Sequence, residues 1–83
     1  MEYQVRWTET ALGKISKLDK KLSSRIIDKI ESMKSDPLLY AKRLTGINLY
    51  SLRIGDYRVI ISLEKNSMFI FDLGHRSKVY KKY

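Results

Sequence analysis

Tyr50-Ser51-Leu52-Arg53-Ile54-Gly55-Asp56-Tyr57-Arg58-Val59-Ile60-Ile61 decides the fold. Leu49 to Ile54 and Tyr57 to Leu63 are rich in β-branched, aromatic and aliphatic residues, and Gly55-Asp56 between them is a connection of the length that closes a tight hairpin. A two-residue loop fixes which residues stand opposite each other. Ile54 faces Tyr57, Arg53 faces Arg58, Leu52 faces Val59, Ser51 faces Ile60 and Tyr50 faces Ile61. Because strand side chains alternate, Tyr50, Leu52, Ile54, Tyr57, Val59 and Ile61 share an apolar face suited to covering helices. Arg53 and Arg58 stand side by side on the other face.

Downstream, Met68 to Leu73 is a third β-rich run after a turn around Lys65, Asn66 and Ser67. A three-residue turn is preferred. It places Phe69, Phe71 and Leu73 opposite Leu63, Ile61 and Val59 on the core face, whereas a two-residue turn sends both phenylalanines to the arginine face. Parity then carries Gly74 and Arg76 onto the side of Arg58.

Upstream, Met1 to Trp7 suits a first strand, with Thr8 as N-cap of a helix beginning near Glu9. Ala11, Leu12, Ile15 and Leu18 recur at helical spacing, as do Leu22, Ile26, Ile30 and Met33 after a break near Asp19, a cap for a second helix. Pro37 ends that helix, since proline disfavours helical geometry at Asp36 and cannot continue the hydrogen-bond ladder. The expected architecture is α+β: an N-terminal strand, an αα-hairpin, then a three-stranded antiparallel meander with the helices packed on one sheet face. Residues 1–83 read as one domain, with no repeat, linker or low-complexity segment.

Composition narrows the partners. The net charge is +8, and it is uneven: residues 1–37 carry eight basic and six acidic side chains, whereas residues 38–83 carry nine and three. The second part holds the anion-facing surface. With no cysteine there are neither disulfides nor thiolate metal sites, which suits a cytoplasmic protein. No signal peptide or membrane span is expected, because the longest apolar runs are strand-sized.

Two arginines opposed across a hairpin repel each other unless a carboxylate or an external anion lies between them. Arg53, Arg58 and Arg76 would offer forked donors suited to a phosphodiester, with Lys42, Arg43, Lys78, Lys81 and Lys82 on surrounding segments. The bland reading is that these are ordinary solvent-facing cations. His75 is the only histidine, which removes a histidine acid–base pair, and the sparse carboxylates Asp56, Glu64 and Asp72 argue against a two-metal nuclease. No metal or other cofactor is expected. RNA allows cleavage without one, because its own 2′-hydroxyl can attack the adjacent phosphate while the protein positions the strand and neutralises charge. Tyr80 could meet that hydroxyl, stack on a base, or simply anchor its segment.

Lys42-Arg43-Leu44-Thr45-Gly46, the hairpin Tyr50 to Ile60, and Gly74-His75-Arg76-Ser77-Lys78-Val79-Tyr80 resemble the RelE/ParE toxin superfamily, the RelE branch most closely. The resemblance covers nearly the whole chain. It implies the toxin of a type II toxin–antitoxin pair, a ribosome-dependent endoribonuclease that cuts mRNA in the A site and leaves a 2′,3′-cyclic phosphate. It assigns Arg58 to the scissile phosphate, Arg76 and Tyr80 to the catalytic set, and Arg53 to substrate contact and proton transfer. A further basic position of some RelE toxins corresponds to Ser51, which carries no charge. The resemblance also implies a RelB-like antitoxin with a flexible charged segment, a heterotetramer with it, and operator DNA bound through the antitoxin alone. The alternative within the superfamily is a ParE-like, non-enzymatic inhibitor of DNA gyrase.

Overall fold

The computed structural model describes residues 2–79 and 81–83. Strand β1 (Gln4–Trp7) leads into α1 (Glu9–Ser16) and α2 (Lys20–Met33), then a 3₁₀ turn at Pro37–Leu39. Strands β2 (Ala41–Arg43), β3 (Tyr50–Ile54), β4 (Tyr57–Glu64) and β5 (Ser67–His75) follow, and a short helix α3 (Arg76–Val79) comes after them. Both helix caps lie where the sequence places them. The Thr8 hydroxyl oxygen accepts from the Ala11 N–H at 3.1 Å and the Asp19 carboxylate from the Leu22 N–H at 2.9 Å.

The five strands form one sheet in the order β1-β5-β4-β3-β2. The β3–β4 hairpin has the expected register, with Arg53 opposite Arg58 and Tyr50 opposite Ile61. Gly55, the first loop residue, has φ +59°, the left-handed value that a primed hairpin turn requires. The meander is one strand longer than the sequence suggested, because Ala41–Arg43 pairs antiparallel with Leu52–Tyr50. β1 closes the other edge, parallel to the first half of β5.

The register of β5 departs from expectation. Its turn from β4 has two residues, Lys65 and Asn66, since Glu64 pairs with Ser67, and Lys65 takes φ +52°. Met68 therefore faces Leu63, and Ile70 faces Ile61. A bulge at Phe71 then restores parity, so that Asp72 pairs with Ile60 and Leu73 with Val59. The core residues of β5 are Met68, Ile70 and Leu73 rather than Phe69, Phe71 and Leu73. Phe69 lies opposite Ser62 on the other face, and Phe71 is exposed. Extra residues in a ladder bend the strand and re-aim its side chains. Here Thr8 holds the bulge, its hydroxyl lying 3.1 Å from the Ile70 carbonyl and 2.9 Å from that of Phe71.

The main core lies between the helices and the face the hairpin predicts. Ala11, Ile15, Ile26, Ile30 and Met33 pack on Leu52, Ile54, Val59, Ile61, Met68, Ile70 and Leu73. Ile60 and Val79 are buried outside that cluster. Ile60 belongs to the arginine face by parity, so that face is also partly covered.

Thr8 both caps α1 and grips the bulge. Thr8→Ala is expected to lower stability by about 1–2 kcal/mol, the upper range for a lost cap, with Thr8→Ser recovering most of it. Urea unfolding checks this. A loss no larger than that of Leu12→Ala, at an exposed position of α1, would show that the grip contributes nothing.

Candidate nucleic-acid interface

Two neighbouring cross-strand rows on the sheet face away from α1 and α2 carry the candidate site residues. One runs Lys42–Ser51–Ile60–Asp72, and the next Arg53–Arg58–Gly74. Their order follows from the hairpin register and the bulge. Without the extra residue at Phe71, Asp72 and Gly74 would not stand in these rows.

α3 folds back over this face. A Cβ at position 74 would lie 3.5 Å from Val79 Cβ, an ordinary packing distance, so α3 rests directly on Gly74. The Arg76 N–H donates to the Asp56 carbonyl at 2.8 Å, which fastens the start of α3 to the hairpin turn. His75 fixes the bend: its Nδ1 accepts from the Ser77 N–H at 3.2 Å and lies 2.9 Å from the Ser77 hydroxyl. The ring also meets Tyr57 edge-on, with centroids 5.7 Å apart.

By backbone position the three arginines flank the Gly55–Asp56 turn, but they differ in access. Arg53 and Arg76 are exposed, whereas Arg58 retains 8% exposure. Arg58 Nη1 donates to the carbonyls of Gly55 and Tyr57, both at 2.9 Å. The Arg58 side chain is thus turned back onto the hairpin loop. The two arginines are opposed on one face as the hairpin register implies, with Arg53 exposed and Arg58 buried. Lys42, Arg43, Lys78, Lys81 and Lys82 are exposed, and Ser51 is buried. Tyr80 lies outside the described residues.

Asp72, Lys14 and Tyr83 form an anchor that the sequence reading missed. Buried Asp72 accepts from Lys14 Nζ at 2.6 Å, from the Leu73 N–H at 2.8 Å and from the Tyr83 hydroxyl at 3.0 Å. Burial raises the carboxyl pKa, but the Lys14 bond, the Leu73 and Tyr83 donors and the Lys14 charge outweigh it and leave it below the ordinary value. Tyr83 is pushed up to about 12, first by burial and then by its bond to the Asp72 carboxylate and that charge. The one available signal was a carboxylate inside the apolar run Met68 to Leu73.

A groove of about 360 Å³ lies beside this anchor, lined by Lys42, Arg43, Leu44, Thr45, Ser51 and Tyr83. A larger hollow of about 640 Å³ is formed by the loop Arg43–Asn48, with Arg43 as its one charged residue. Among the described residues, no three histidine or acidic side chains are placed to hold a metal ion. No described helix is long and apolar enough to cross a membrane.

A small basic α+β domain with a cationic sheet face opposite its helices is the architecture of a toxin class. Residues 5–80 match the family model of the ParE toxin of type II toxin–antitoxin systems, and the chain belongs to that family, within the RelE/ParE superfamily. A chain of the RelBE2 toxin–antitoxin complex of Mycobacterium tuberculosis is 25% identical, with a TM-score of 0.82 over 92% of this chain and 100% of that one. The isolated E. coli RelE toxin shares the fold at 24% identity and TM-score 0.77, covering 96% of this chain and 93% of its own. So does a chain of the chromosomal ParDE system of P. aeruginosa, at 10% identity and TM-score 0.75, over 89% and 96% of the two chains. No curated protein matches the chain in sequence.

The anchor makes stability depend on pH. The folded Asp72 pKa is depressed, so its contribution is present above the unfolded value near 3.8 and lost as pH falls through the lower folded value. Tyr83 has the opposite sign: raised from 10.0, it contributes below that pH and loses its contribution as pH rises through about 12. The urea midpoint of wild type is therefore expected to exceed that of Asp72→Asn by a constant margin from about pH 5 to about pH 9, shrinking below about pH 3.8. A margin unchanged at about pH 2 would rule out the carboxylate as its source.

Proposed function

We propose that this toxin is a ribosome-dependent endoribonuclease of the RelE kind, which cuts mRNA in the A site without a metal and so stops translation. The observation that carries the reading is the backbone placement of Arg53, Arg58 and Arg76 around one turn of the cationic face. The RelBE2 chain, with the higher identity and TM-score of the two toxin types compared, supports the RelE branch over the ParE branch.

In this mechanism the 2′-oxygen forms a bond to phosphorus and the bond from phosphorus to the 5′-oxygen breaks, giving a 2′,3′-cyclic phosphate. One proton leaves the attacking hydroxyl and one reaches the departing oxygen. Exposed Arg53 and Arg76 grip the phosphate and neutralise the charge that grows on it in the transition state. Arg58 contacts the scissile phosphate, and its Nη1 bonds to the Gly55 and Tyr57 carbonyls brace the turn beside Arg53. Tyr80 serves the 2′-hydroxyl or stacks on the base. Lys42, Arg43, Ser51, Lys78, Lys81 and Lys82 hold the surrounding RNA and ribosome.

The partner in the resting state is a RelB-like antitoxin, in a heterotetramer that reaches operator DNA through the antitoxin. Acidic segments suit the +8 chain. The reading places the toxin in the cytoplasm, where its ribosomal target lies. A ParE-like, non-enzymatic inhibition of DNA gyrase is the second reading, favoured by the family model itself.

Ribosomes programmed with a defined mRNA, followed by primer extension, test the first reading. A cut in the A-site codon is expected, with Arg76→Ala reducing its rate by about a hundredfold or more. A 2′-deoxy nucleotide on the 5′ side of the cleaved bond should leave that bond intact. Uncut mRNA, together with inhibited supercoiling by gyrase, would replace the nuclease with the ParE-like reading.

A further inference from the structure

The groove beside Tyr83 has a composition that the arginine cluster does not explain. Its lining contributes two cations, Lys42 and Arg43, two hydroxyls, Thr45 and Ser51, the aliphatic Leu44 and the half-buried ring of Tyr83, with no acidic residue. Its volume of about 360 Å³ lies at the small end of ligand sites. A phosphate would satisfy the cations, hydroxyls suit the polar edges of a sugar or base, and a tyrosine ring is a stacking surface for any base.

The ring is held in place. Its hydroxyl donates to Asp72 at 3.0 Å, and Asp72 is itself fixed by Lys14 at 2.6 Å and the Leu73 N–H at 2.8 Å. A platform fixed before the ligand arrives loses little side-chain freedom on binding. The one nearby carboxylate, Asp72, is ion-paired with Lys14, which offsets its repulsion of an incoming phosphate.

Position relative to the arginines sets which part of a strand would enter. Ser51 and Arg53 are two residues apart on β3 and share a face, a separation of roughly 7 Å at the usual strand rise. Lys42 stands directly opposite Ser51. An RNA strand gripped at Arg53 therefore reaches the groove within about one nucleotide.

We propose that this groove is a nucleotide subsite, in which Tyr83 stacks the base neighbouring the cleaved bond and Lys42 and Arg43 hold its phosphate. The identity of the strand as substrate rests on the ribonuclease reading. Tyr83 thereby acts as a determinant of which base is accepted beside the cut. An acidic peptide is the competing occupant, but it has no use for the stacking ring.

The test titrates the purified chain with 2′-O-methyl ApApA, which cannot be cleaved, and follows backbone and tyrosine-ring NMR signals. Shifts are expected at Lys42, Arg43, Thr45, Ser51 and Tyr83, with Tyr83→Leu weakening binding about fivefold or more, the low end of a lost stacking contact. Tyr83→Phe, which keeps the ring but not its anchor, should fall between. Lys42→Ala, remote from Asp72, should weaken binding and lower its salt dependence by about one ion. Thermal unfolding of each variant separates loss of binding from loss of fold.

Unshifted groove signals, or equal affinity of wild type, Tyr83→Leu and Lys42→Ala, would overturn the subsite. So would a hexaglutamate peptide that shifts these signals where the trinucleotide does not. The programmed-ribosome assay keeps the two proposals apart. A-site cutting with the same base preference in Tyr83→Leu overturns the subsite and leaves the nuclease. Trinucleotide shifts in the groove without any cutting sink the nuclease and leave the subsite.

Discussion

The two-residue turn at Gly55-Asp56 is the constraint on which the rest of the sheet depends. A one-residue slip there would invert one strand relative to the other, putting Arg53 on the same face as Val59 and Ile61, and Arg58 on that of Leu52 and Ile54. Burial of Leu52, Ile54, Val59 and Ile61 against Ile26 and Ile30 therefore does more than stabilise the fold. It fixes, through the same parity, which residues of β3 and β4 make up the cationic face. A one-residue error in the core and an error in the site would be the same event.

β5 obeys this constraint by breaking its own alternation. Met68 and Ile70 enter the core in the register of a short Lys65-Asn66 turn, and the bulge at Phe71 resets parity so that Leu73 follows them. That reset was not legible in the sequence, because it depends on Thr8 reaching the Ile70 and Phe71 carbonyls from far along the chain. The β3–β4 pairing was legible because alternation and turn length agreed within one local stretch. Strand β2 was not, since Ala41-Lys42-Arg43 carries no apolar alternation and is defined by its partner rather than by itself.

The site divides along the same line. Parity within the hairpin was enough to bring Arg53 and Arg58 onto one face, whereas Gly74 joins them through the bulge at Phe71. The burial of Arg58 was hidden, because its side chain turns back to the carbonyls of Gly55 and Tyr57, which strand alternation does not foretell. The Asp72–Tyr83 contact joins residues 11 apart across a bend, and Lys14 reaches Asp72 from a helix in the first part of the chain. Side-chain networks of this kind leave no periodic trace.

Residue chemistry explains why the inner position of the arginine cluster is an arginine. A guanidinium keeps its charge when buried and has five donors in a fixed plane, so Nη1 can serve two turn carbonyls without exhausting the group. A lysine there would shift its pKa readily and lacks the planar fork that serves both carbonyls. Arg58 thus supplies a permanent positive charge behind the exposed Arg53 and Arg76. The carboxylate sharing these two rows, Asp72, is bound by Lys14 and Tyr83, so it offsets Lys14 more than it offsets the arginines. The field over the face consequently stays positive where Arg53 and Arg76 meet solvent, which draws polyanions toward the turn before any specific contact forms.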